Sequence, residues 1–85
     1  MAKKIILGVQ VTDRHDCAPA VQKVLTQYGC SIRTRLGLHE VSGEFCSTVG
    51  LLILDTCGPE KEIKAFEAAL KEISGVTVKK MVFTL

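Results

Sequence analysis

Eighty-five residues, 47% of them apolar and 24% charged with only two prolines, make a chain short enough for a single domain and too apolar to be disordered. Eleven Lys and Arg against nine Asp and Glu leave a formal charge of +2, with the basic residues scattered from Lys3 to Lys80, so no basic block points to nucleic acid. No apolar run approaches the ~20 residues a bilayer crossing needs, and Met1-Ala2-Lys3-Lys4 leads straight into alternating Ile and Val, so the expected setting is the cytosol, with neither membrane nor nucleic acid as direct partner.

From Lys3 to Thr12, Ile5, Leu7, Val9 and Val11 recur at every second position, the period of a strand with one face on a core. From about Arg14 to Tyr28 the apolar set becomes Cys17, Val21, Val24, Leu25 and Tyr28, which predicts an amphipathic helix stopped by Gly29. Pro19 has no amide proton, so either the first turn contains it or the regular helix begins close to Ala18. A second alternation, Cys30 to about His39, sets Ile32, Thr34, Leu36 and Leu38 on one face and Ser31, Arg33, Arg35, Gly37 and His39 on a polar back. Glu40 to Ser47 mixes Ser, Gly and acidic residues and predicts a connection longer than the tightest hairpin.

Thr48 to Thr56 follows with Val49, Leu51, Leu52, Ile53 and Leu54 nearly uninterrupted, which predicts a central strand covered on both faces. Gly58-Pro59 ends it and opens a second helix, with Glu60 and Glu62 at the positive end of the dipole and Ile63, Phe66, Leu70 and Ile73 on the inner face. Glu60 with Lys64 and Glu67 with Lys71 are spaced for exposed ion pairs along that helix. Ser74-Gly75 closes it, and Val76 to about Thr84 is a last strand whose Lys79 and Lys80 give a charged edge.

Strand, helix, strand, strand, helix, strand is the ferredoxin-like βαββαβ order, an α+β two-layer sandwich. Right-handed crossovers place both helices on one face of an antiparallel sheet ordered 4-1-3-2. The other face stays open and must carry either Leu52 and Leu54 or Val49, Leu51 and Ile53. Burying two leucines is worth roughly 3 to 6 kcal/mol, comparable to the net stability of a small domain. Copies are therefore expected to associate, as a dimer or a tetramer, through a sheet edge, the sheet back or both.

Cys17, Cys30, Cys46 and Cys57 include no C-x-x-C pair, and the expected reducing setting makes them thiols packed as small buried hydrophobes. The alternative is a composite metal or redox site of Cys17 or Cys46 with His15 or His39 from a neighbouring copy. Arg33 and Arg35, on the polar face of the second strand, suit a carboxylate or phosphate. No Ser, His and acid grouping, paired carboxylates or phosphate loop is visible, so catalysis is not expected and no cofactor follows from the sequence.

Val11-Thr12-Asp13-Arg14, the helix to Tyr28-Gly29 and then Cys30-Ser31-Ile32 resemble the opening of an ACT regulatory domain. Over nearly its whole length the chain is similar to the iron-only hydrogenase system regulators. The residues carrying that likeness are Asp13-Arg14, Arg35-Leu36-Gly37, Gly50 before an apolar strand, and Ile73-Ser74-Gly75-Val76-Thr77-Val78-Lys79. The resemblance implies a single ACT-like domain over residues 1–85 and an assembly with a ligand site between subunits, near Asp13, Arg14, His15 and Asp16. His15-Asp16-Cys17 stand where ACT amino-acid sensors commonly place a glycine, and Asp13 and Asp16 also suit the simpler role of capping the first helix. Two functions follow as expectations: a non-enzymatic regulatory module holding a small effector or metal between subunits, or a structural module that binds another protein.

Overall fold

The structure, a computed structural model, describes residues 3–12, 14–42 and 45–85, with the backbone alone for 14–18, 39–42 and 45–49. The chain forms β1 (Lys3–Val11), α1 (Arg14–Gln27), a short 3-10 turn (Gly29–Ser31), β2 (Ile32–Ser42), β3 (Phe45–Thr56), α2 (Glu60–Lys71) and β4 (Val76–Thr84). The strands pair antiparallel in the order β2-β3-β1-β4, the ferredoxin-like arrangement expected from the element order.

The alternation in β1 works as the sequence implies. Ile5, Leu7, Val9 and Val11 are all buried on the helix-facing side. Register carries that side across the sheet, because Leu7 stands opposite Leu54, Val9 lies between Leu52 and Val78, and Val11 between Gly50 and Val76. Onto this floor α1 sets Val21 and Leu25, and α2 sets Ile63, Phe66 and Leu70, so both helices close one core. Phe66 is fully buried and stacks on Tyr28, with ring centroids 5.2 Å apart and planes at 22°. The Thr12 amide and hydroxyl both donate to the Gly75 carbonyl at 2.9 Å, tying the end of β1 to the start of β4. Gly75, at φ 85°, makes the left-handed turn that an L side chain would strain.

Several expectations are corrected. α1 begins at Arg14, so Pro19 stands inside the helix, where the carbonyl four residues back loses its donor. The residues after Gly29 form a 3-10 turn, and β2 starts at Ile32 instead of Cys30. That turn buries Ser31 and leaves Cys30 exposed, while Cys57 is only partly covered, so neither thiol is a core residue. The Cys57 thiol donates to the Cys30 carbonyl at 3.5 Å instead. β2 runs to Ser42 and β3 starts at Phe45, with Ser42 paired to Phe45, so the strands reach well into the segment read as a long connection.

The ion pairs also differ from the helical spacing. Glu60 is held by Lys3 of β1 at 3.2 Å and not by Lys64. Glu67 does meet Lys71 at 3.0 Å, but its side chain is only 11% exposed and it also accepts from Lys80 of β4 at 3.3 Å. Burial pushes the Glu67 carboxyl up, and the hydrogen bonds from Lys71 and Lys80 outweigh it and hold the group below its ordinary value of 4.5. A carboxyl lowered in the folded chain stabilises it above the ordinary value, and that stabilisation disappears as the pH falls through the lowered one.

Phe66→Ala is expected to cost about 3–5 kcal/mol, enough to unfold most of an isolated domain this small, as read from urea midpoints. Glu67→Gln is expected to cost about 1–2 kcal/mol at neutral pH. Because the variant lacks the lowered carboxyl, its stability should fall less than that of the native chain when urea titrations are repeated below about pH 4.5.

Candidate functional site

The largest uncommitted feature is the sheet face turned away from the helices. Met81 lies beside Ile6, Gly8 beside Ile53, Ile53 beside Leu36, and Leu51 beside Leu38. With Phe83 these residues form a diagonal apolar stripe from the end of β4 to the upper part of β2. Leu36 is 54% exposed, Leu38 47%, Met81 53% and Phe83 51%. Covering what remains of these four side chains is worth about 3–6 kcal/mol to whatever covers it. The stripe is flanked by Lys4 and Asp55, which form an ion pair, and among the described residues Lys4 is what meets the charge of the buried Asp55 Oδ1, without a well-aligned hydrogen bond.

The register settles which residues of β3 face the open side. Leu52 and Leu54 belong to the helix-facing side, and Leu51 and Ile53 to the open one. β2 is reversed from the polar back read in the sequence, because Leu36 and Leu38 lie on the open face while Arg35 and Gly37 stand opposite Leu54 and Leu52 on the helix-facing side. A one-residue register shift between Ile32 and Thr34 leaves Arg33 as the extra residue of a bulge.

The sequence-predicted ligand residues do not form one cluster. Arg35 Nη2 donates to Gln22 Oε1 of α1 at 3.2 Å, and no carboxylate among the described residues pairs with Arg33 or Arg35. Gln22 lies six to eight residues along α1 from Arg14–Asp16, so Arg35 sits roughly 9–12 Å down the helix from that segment. A Cβ on Gly37 would meet Leu52 Cδ2 at 3.5 Å, an ordinary contact, so no close approach demands glycine there. Asp13 lies outside the described residues. The side chains of Arg14, His15, Asp16, Cys17, His39 and Cys46 lie outside them too, and with them the composite metal site. Among the described residues no three His, Cys, Asp or Glu side chains gather to hold a metal. No helix among them is long and apolar enough to cross a membrane.

A second concavity, which the sequence reading missed, lies between α2 and the β1–β4 pair. It encloses about 240 Å³ over Ile5, Ile63 and Val82, rimmed by Lys3, Lys64, Lys80, Glu60 and Glu67. The bond from Lys3 and its charge hold the Glu60 carboxyl below its ordinary value. Lys3 and Lys80 are thus committed to glutamates, which leaves Lys64 as the rim charge without an ion pair among the described residues. Sequence distance hides this groove, because Lys3 and Glu60 are 57 positions apart.

No family model matches the chain, and no curated protein does. Among solved structures it is similar to the uncharacterized protein TM1266 from Thermotoga maritima, at 27% identity and a TM-score of 0.81 over 98% of this chain and 100% of that one. It is also similar to CPII, a nitrogen regulatory PII-like protein from Thiomonas intermedia K12 bound to ADP, AMP and bicarbonate, at 15% identity and a TM-score of 0.59 over 99% and 93% of the two chains. The de novo designed protein Foldit4 shares the fold at 12% identity and a TM-score of 0.56, over 98% and 97%. At 15% and 12% identity these last two likenesses are likenesses of fold.

Proposed function

We propose that this chain is a non-enzymatic regulatory module that works as a homo-oligomer, dimer or tetramer, and binds a small anionic effector. The observation that carries the reading is the half-exposed stripe of Leu36, Leu38, Met81 and Phe83. A small domain that leaves so much apolar surface uncovered is built to be part of an assembly. Arg33 and Arg35, with no carboxylate beside them among the described residues, supply positive charge for the effector. A PII-like regulator of the same fold, bound to ADP, AMP and bicarbonate, supports anions of that kind as the first effectors to try. The motif resemblance to iron-only hydrogenase system regulators supplies the regulated system as part of the same proposal. The second reading, a structural module that binds another protein without a small ligand, draws on the same apolar stripe.

Thermal-shift and calorimetric titration of the full chain with ADP, AMP, bicarbonate, amino acids and first-row divalent metals separates the two. Saturation of a specific site at a hundredfold excess over Kd stabilises by ~2.7 kcal/mol, which for a domain of this size raises Tm by roughly 10–20 °C. An anion is expected to give such a shift, and Arg35→Ala to weaken its binding about tenfold or more. Silence from every compound, with a stoichiometric protein partner recovered by pull-down, would replace the regulatory reading with the structural one.

A further inference from the structure

We infer that the open sheet face is the interface between two copies of this chain, packed back to back with the helices outward. The inference rests on the self-associating reading above and goes further by naming the surface and the orientation. Four strands about 4.8 Å apart, with β1 and β4 each nine residues long at ~3.4 Å per residue, give a face of about 19 by 30 Å. With side-chain relief, such a face approaches the ~800 Å² per partner that a standard interface buries.

The distribution of residues suits a two-fold pair. The stripe runs corner to corner, from Phe83 and Met81 on β4, through Ile6 and Ile53, to Leu36, Leu51 and Leu38. A two-fold axis lying along the stripe sets stripe on stripe, so each copy covers the other's leucines with its own. The same rotation brings the corner of one copy that holds Lys79, Thr77 and Gln10 over the corner of the other that holds the Lys4–Asp55 ion pair and Thr34, so Lys79 meets a pair with no net charge. An axis across the stripe would instead set Lys79 on Lys79. Charge thus selects the first arrangement, and sheets stacked this way lie ~10 Å apart with interdigitating side chains. Gly8, in the row of Lys79, Ile53 and Leu36, leaves a hollow near the middle of the face for a side chain from the facing sheet.

Sedimentation equilibrium and light scattering on the full chain test this with Leu36→Glu and Met81→Glu, which alter exposed positions on the stripe, and with Lys23→Glu, a control that adds still more negative charge, two units against one, on an exposed position of α1. The native chain and Lys23→Glu are expected to be dimeric at micromolar concentration, with both stripe variants raising the dimer dissociation constant at least a hundredfold while keeping the native circular-dichroism spectrum. A monomeric native chain would overturn both this inference and the assembly reading beneath it. Stripe variants that stay dimeric would overturn the back-to-back interface alone and leave the assembly to a sheet edge. If a glutamate variant loses its native spectrum, Leu36→Ser and Met81→Ser, which add no charge, take its place under the same criteria.

Discussion

A four-stranded sheet has two faces, and this chain carries two helices, both on the same side of it. The core closes well there: Leu7, Val9, Leu54, Phe66 and Leu70 exclude water almost completely. Nothing in the described chain crosses to the other side, so its apolar residues have only solvent or another molecule to meet. Placed on the scale of a small domain's net stability, the surface left on that face is a first-order quantity. The reading of this protein as part of an assembly follows from that imbalance between elements and faces.

Pairing register converts this imbalance into a particular surface. In a pleated strand the side chains alternate strictly, so the pairing of Leu7 with Leu54 sends Leu51 and Ile53 to the other side without further choice. The bulge at the start of β2 then sets which half of that strand's alternation faces outward. Polar contacts lock the arrangement from the rim. Thr12 binds the Gly75 carbonyl, and the Thr56 hydroxyl donates to the Ile5 carbonyl at 2.7 Å inside the core. Glu67 joins α2 to β4 through Lys80, so the outer helix and the edge strand are tied by charge as well as by packing.

Chemistry specific to this chain lies in what the fold leaves over. The same topology serves a PII-like nitrogen regulatory protein and a designed protein, which separates the scaffold from any one activity. On this scaffold the chain carries an apolar open face, the Arg33 and Arg35 pair at the bulged start of β2, and the groove between α2 and β4 with its lysine and glutamate rim. The arginines were legible as a charged pair in the sequence. Their setting was not, since Gln22 comes from a different element and the bulge interrupts the alternation that would relate the two by period alone.

The sequence by itself determined the element order and the inner faces of β1, α1 and α2. Periods of two in β1 and of three to four in α2 arise from local backbone geometry, which any chain of these residues obeys. It also carried the excess of apolar residues in β3 that a single layer of helices leaves half covered. Tertiary structure decided what depends on residues far apart in the chain: Glu60 taking Lys3 over Lys64, Glu67 drawn into a nearly buried bridge, and Leu36 and Leu38 turned outward. Those outcomes follow from strand register and from how each helix is set on the sheet, and neither is encoded in the spacing of neighbours along one element.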